Sequence, residues 1–232
     1  AYALSLSGGS GTGTGLLETS GATSVTGSPE LNAKTWNNTG TVTIGPGASD
    51  RLLLTNSSTF NNQVGGTLLL SGTNANPFVH SAGTTAHLLT NAGTLRKTSA
   101  GAQTLLNVGS FNNLVGGTLD VDVGTLNLAV SGTHAGTFNV DPGAVLKLSS
   151  GTQSLNAGVS FSGTGSLQVA GGTLNVNTPV TLNASMPALS LSSGTLGGTA
   201  TLSVANALSL SGGTVTGTGL LETSGATSVT GS

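Results

Sequence analysis

Asp120 and Asp122 are the one pair of carboxylates two positions apart in this chain. On an extended strand that spacing puts both side chains on one face, where two carboxylates can hold Ca²⁺ or serve as acid and base. Leu119, Val121 and Val123 alternate with them, so an apolar inward face and an acidic outward face are expected. A solvated strand face accounts for the pair without any chemistry. His80, His87 and His134 are separated by 7 and 47 residues, and neither Cys nor a carboxylate completes a metal-ligand spacing around them. Asp50 beside Arg51, and Arg96 beside Lys97, read as lone surface charges that interrupt otherwise sticky segments.

Other motifs fail on their own terms. Gly8-Gly-Ser-Gly-Thr-Gly13 opens like a calcium-binding nonapeptide but has Gly13 where the ligand Asp belongs, and its later copy reads Gly212-Gly-Thr-Val215. The same stretch is no phosphate loop, since no Lys-Ser/Thr follows. Asn37-Asn-Thr39, Asn56-Ser-Ser58 and Asn183-Ala-Ser185 are formal glycosylation sequons of the kind an Asn/Ser/Thr-rich chain contains by chance. Thr41-Val-Thr43 and Thr214-Val-Thr216 resemble an ice-binding array, but the pair is missing from most of the chain. No catalytic, cofactor-binding or metal-ligating residue is therefore assigned, no cofactor is expected, and the chain reads as a non-enzyme.

Composition narrows the function classes further. Only 5% of the 232 residues are charged and 3% aromatic, while 38 are Gly and 36% are hydrophobic. Disordered chains are poor in aliphatic residues and rich in charge, so this one should fold. Five scattered Lys and Arg at net charge −2 cannot form the basic stripe that nucleic acid requires. The absence of Cys fits an exoprotein or a bacterial cell surface. No apolar run approaches the roughly 20 residues needed for a membrane span, and residue 1 opens in mid-pattern without a leader.

The elements that must carry these residues are repetitive. Residues 1–28 align without gaps to residues 205–232, matching at 25 of 28 positions; only Tyr2/Asn206, Ser10/Thr214 and Gly11/Val215 differ. One 204-residue unit (1–204) is thus followed by the start of the next (205–232), which implies a tandem array. Within the unit, short alternating apolar runs follow Gly-Thr turns, as in Gly40-Thr-Val-Thr-Ile44, Gly66-Thr-Leu-Leu-Leu70 and Gly124-Thr-Leu-Asn-Leu128. A second recurring element is an aromatic residue followed by paired Asn, at Trp36-Asn37-Asn38, Phe60-Asn61-Asn62 and Phe111-Asn112-Asn113. Their spacing fits coils of roughly 20 to 27 residues, with the aromatics stacked in the core and the Asn forming ladders at bends.

No segment carries a helical apolar stripe, and the Asn-Gly and Asp-Gly turns of hairpins do not occur. The fold expected is all-β: a right-handed parallel β-helix, or β-solenoid, of about ten coils per unit.

The runs Asn91-Ala-Gly-Thr-Leu-Arg-Lys97, Phe111-Asn-Asn-Leu-Val-Gly-Gly-Thr-Leu-Asp-Val121 and Leu155-Asn-Ala-Gly-Val-Ser-Phe-Ser-Gly-Thr-Gly165 resemble the β-helical repeats of filamentous-haemagglutinin-like adhesins and autotransporter passengers. That resemblance covers residues 36 to 204. It implies a bacterial protein displayed or released outside the cell as a long rod. The expected role is a structural filament, fibre or stalk built by continuous coil stacking, with self-association or covalent continuation head to tail through coil ends. The alternative is an adhesin that binds a host, a glycan or sister cells in a biofilm; a polysaccharide-active enzyme or an ice-binder ranks below both.

Overall fold

The computed structural model describes residues 3–231. The chain is all-β and parallel, a β-solenoid of about ten turns with a period of about 22 residues. Each turn lays one short strand on each of three faces. On the first face Leu4–Leu6, Ala22–Val25, Thr41–Ile44, Thr67–Leu70, Thr94–Lys97, Thr118–Val121, Thr137–Val140 and Ser160–Ser162 follow one another as an eight-stranded parallel sheet. A separate three-stranded sheet, Val180–Leu182, Leu202–Val204 and Leu221–Thr223, continues that face. The second face begins with Ser10–Thr12, Glu30–Asn32, Leu52–Thr55 and Phe78–Ala82, and resumes at Ala102–Thr104. The third runs from Leu16–Thr19 through Thr35–Asn38, Thr59–Asn62, Leu88–Asn91 and Ser110–Asn113. The long strands Ser166–Val176 and Ala188–Gly198 bend around a corner and join the second and third faces into one sheet.

The alternation in the sequence explains the core. In Thr67–Leu70, Thr118–Val121 and Thr137–Val140 the second and fourth residues point inward and are buried, while the first and third face out. Coil after coil, the inward positions stack: Val42, Leu68, Leu95, Leu119 and Phe138 are paired in register. The aromatic series is indeed internal. Trp36 stands edge-on to Phe60 at 5.0 Å, and Leu89 continues the column to Phe111. Phe138 and Phe161 stack at 5.3 Å.

The Gly-Thr turn has a steric cause. Gly93, Gly117 and Gly136 sit where the chain turns from the third face to the first, and a Cβ on each would overlap a backbone carbonyl of the preceding coil, that of Gly66, Asn91 and Gly117 respectively.

Three expectations are corrected. Val123 does not share the inward face of Leu119 and Val121, because the strand ends at Val121 and the turn leaves Val123 40% exposed. The paired Asn do not sit at bends; they close strands, the first facing out and the second buried. Coils also vary more than expected, from an offset of 19 residues (Leu16 to Thr35) to one of 29 (Thr59 to Leu88). The longer coil spreads its extra residues over all three corners, 63–66, 71–77 and 83–87, where the shortest has 20–21, 26–29 and 33–34.

Candidate functional site

The outward face of Thr118–Val121 gathers charge that the sequence scatters. Arg96 lies beside Asp120 in register, one coil away. Its guanidinium reaches both oxygens of Asp122, with Nη2 at 2.8 Å and Nε at 2.9 and 3.0 Å, and approaches Asp120 at 3.6 Å. On the other side Asn139 donates from one amide nitrogen to Asp120 (2.7 Å) and Asp141 (2.9 Å), and Ser162 donates to its carbonyl. Asp120, Asp122 and Asp141 each offer an oxygen within 4.8 Å of the others, the one such three-residue group among the described residues. Asp141 follows the next coil's strand, which is why only Asp120 and Asp122 were visible as a pair.

Burial, ahead of repulsion from Asp122 and Asp141, raises the Asp120 carboxyl above its ordinary range, while the hydrogen bond from Asn139 and the Arg96 charge oppose it. Hydrogen bonding and attraction from Asp122 raise Arg96. Arg96 and the Asn139 amide offset part of the cluster's negative charge, and Arg96 engages both Asp122 oxygens that a metal ion would need. Arg96 is therefore no lone surface charge. Nor is its neighbour: Lys97 takes an inward position between Leu70 and Val121 and is fully buried. Its ammonium donates to the carbonyls of Ser99 and Val123. Desolvation pulls its pKa down to about 8, against the attraction of Asp122.

Asp50 and Arg51 are corrected in the same way. Asp50 is buried and accepts from the Gly27 and Gly47 amides, bracing two loops, while Arg51 donates to Ser28.

Of the three histidines, His80 and His87 come together and His134 stands apart. Ser58 N–H donates to His87 Nδ1 at 3.1 Å, so that nitrogen is unprotonated and the His87 proton sits on Nε2. Nε2 then donates to His80 Nδ1 at 2.9 Å. Burial, then the neighbouring His80, lowers the His87 pKa. His134 accepts from Asn113 N–H through Nδ1 and donates from Nε2 to Gln153 at 2.7 Å; burial holds it down to about 4. These two networks fix tautomers inside the rod.

A buried amide ladder was only partly visible in the sequence. Asn38, Asn62, Asn91 and Asn113 stack with side-chain amide to carbonyl distances of 2.9, 2.8 and 2.8 Å. Each amide also donates to a backbone carbonyl at the corner, Thr94 O for Asn62 and Thr118 O for Asn91. Asn91 follows Leu89-Thr90 rather than an aromatic-Asn pair, so that motif missed it; the Asn-x-Gly-Thr run it shares with Asn38-Thr-Gly-Thr41 is the signal that could have found it. Thr19 begins the ladder, donating to Asn38 and accepting from the Trp36 indole at 2.9 Å.

The remaining feature is the last coil. Val229 is 73% exposed, whereas Leu220 at 56% does not differ from its first-copy counterpart Leu16 at 54%. Val25, which occupies the same place as Val229 in the 28-residue match, is fully buried because Thr41–Ile44 and the coils beyond cover it. Tyr2 lies outside the described residues. No protein family, curated protein or solved structure matches this chain.

Proposed function

We propose that this chain is a structural segment of an extracellular rod, of the filamentous-haemagglutinin or autotransporter-passenger kind, that extends by stacking coil on coil. One observation carries the reading. The same 28-residue sequence occurs at residues 1–28 and 205–232, and in its first occurrence the next coil pairs with it in register and buries Val25. An open coil edge offers unpaired backbone N–H and C=O groups and apolar side chains, the natural substrate for another coil. Small charge, no Cys, and an amide ladder and histidine bonds spent on holding the coils together suit a cell-surface rod rather than a reaction centre. In this reading the chain has no catalytic role and binds no cofactor or nucleic acid. No helix of the structure is long and apolar enough to cross a membrane.

Adhesion is the second reading, and one feature favours it. Val64 and Val115 stand 78% and 73% exposed at matching Val-Gly-Gly-Thr corners of the rod, where they could meet another surface. Trp36 and all five Phe are buried, so among the described residues no aromatic platform for a sugar ring exists.

Negative-stain electron microscopy of the 232-residue chain across a concentration series tests the structural reading. Thin rods that lengthen with concentration support it; short rods of fixed length at every concentration overturn self-extension.

A further inference from the structure

Between the coils that hold Phe78–Ala82 and Ala102–Thr104 the second face has no strand ladder. Phe78–Ala82 pairs with Leu52–Thr55 on one side and is the last strand of its sheet, and its register breaks between His80 and Ala82. Side chains bridge the gap instead. Asn107 Oδ1 accepts from His80 N–H at 2.9 Å, and the Gln103 amide donates to Gly72 O at 3.1 Å and Asn74 O at 2.9 Å. A backbone bond from Thr104 N–H to Ala75 O at 2.7 Å accompanies them. On the other two faces the ladders run through these coils unbroken, Thr67–Leu70 with Thr94–Lys97, and Thr59–Asn62 through Leu88–Asn91 to Ser110–Asn113.

The His80–His87 pair closes the corner beside this gap. His87 is buried and its main chain seats one coil on the next: Ser110 N–H donates to His87 O at 2.9 Å, and a Cβ on Gly109 would overlap that carbonyl. Leu88 N–H donates to Ser58 O on the other side. His80 is half-buried, and residues 83–86 between the two rings are exposed.

The hydrogen bonds through the pair run in one direction, from Ser58 N–H to His87 Nδ1 and from His87 Nε2–H to His80 Nδ1, which leaves the His80 proton on Nε2. A backbone amide keeps its hydrogen, so the direction is fixed from that end. One added proton has no place in this chain of bonds. On His80 it sets an Nδ1–H against His87 Nε2–H. If His87 moves its own proton to Nδ1, that N–H meets Ser58 N–H instead. No neighbouring charge relieves the conflict. Segments 52–58, 88–91 and 105–110, which pack around the pair, contain no charged or titratable side chain. In the coil beyond, Glu30 is engaged by Thr55, and Lys34 is turned to Gly15 O at 3.0 Å.

From this geometry we infer that His80 and His87 form an acid-sensitive latch on the second face, released by a single proton that enters at His80. Release unseats the corner 83–87 from Ser58 and widens the gap between Phe78–Ala82 and segment 105–110, while the first and third faces keep the coils stacked. The sign follows from His87, whose pKa is held below 6.5 by burial and then by His80. The latch is therefore fully closed above pH 6.5 and is lost as the pH falls from there toward the folded value.

Native-state hydrogen exchange of the 232-residue chain at pH 7.5 and pH 5 tests the latch, with rates expressed as protection factors to remove the intrinsic effect of pH. The amides of Ser58, His80 and Ser110 should lose about tenfold or more in protection at pH 5, and those of Leu68 and Leu95 on the first face far less. His134, held down to about 4, keeps its neutral folded form at pH 5 and does not contribute a second local opening. His80→Gln keeps an acceptor for His87 Nε2–H and cannot take the proton; His80→Ala leaves that N–H to water and is the second variant should the first misfold. Either folded variant should hold its protection at pH 5. Unchanged protection in the wild type, a fall as large in either folded variant, or an equal fall through every coil overturns the latch.

Discussion

Single side chains inside this rod have consequences that pH can expose. His134 is neutral and holds a hydrogen bond on each nitrogen. The folded chain binds its proton less tightly than the unfolded chain, so the stability this residue contributes is complete above pH 6.5 and is lost as pH falls toward 4. The loss amounts to about 3 kcal/mol across that window. Denaturant unfolding of wild type and His134→Gln at pH 7 and pH 4.5 checks this, since the variant should lack most of the difference. Lys97 titrates in the opposite pH range with the same sign. Its folded pKa of about 8 lies below the ordinary 10.5, so stability rises as pH climbs from 8 to 10.5. Lys97→Met removes a buried charge; it should abolish that rise and stabilise the fold by about 1–2 kcal/mol at pH 7, read as a higher melting temperature.

At the scale of the element, strand and ladder are the units that matter. Asn91→Ala takes one acceptor from the Asn62 amide, which keeps Thr94 O, and removes the donor to the Asn113 side-chain oxygen and to Thr118 O. A loss of about 2–4 kcal/mol is expected, visible as a lower urea midpoint at unchanged slope. The strand Thr118–Val121 separates its two faces sharply. Leu119→Asp places an unpaired charge among buried layers and should cost about 4 kcal/mol or more. Asp120→Asn keeps an oxygen for Asn139 and relieves repulsion within the carboxylate cluster, so a change below about 1 kcal/mol is expected.

Strand alternation was legible in the sequence because a two-residue period can only mean opposite faces; that is why Leu119 and Val121 are internal. Lys97 was not legible. Its neighbour Arg96 is outward, so Lys97 must be inward, but a charged residue in that position reads as a surface residue until the carbonyls of Ser99 and Val123 are brought to its ammonium by the turn and the next coil.

For the whole molecule, stability is a sum of coil-to-coil terms rather than one cooperative core. Native-state hydrogen exchange should therefore be slowest through the coils holding Trp36 to Phe138 and fastest in the outermost strands Leu4–Leu6 and Thr227–Val229, each paired on one side only in the 232-residue chain.

Composition, the two-residue period and the 25 matches in 28 positions determined, by themselves, that this chain is a parallel solenoid carrying one 28-residue sequence twice, because those features depend only on local side-chain direction and on self-similarity. The tertiary structure decided which distant residues meet. It brought Asp141 to Asp120 and Asp122 under Arg96, joined His80 to His87, and threaded Asn91 into the amide ladder. It also placed Leu208–Leu210 on the second face, although its counterpart Leu4–Leu6 lies on the first, so equal sequences face different ways. The physical reason is that coil length varies from 19 to 29 residues with each corner, and only the accumulated corners set which face a given strand reaches.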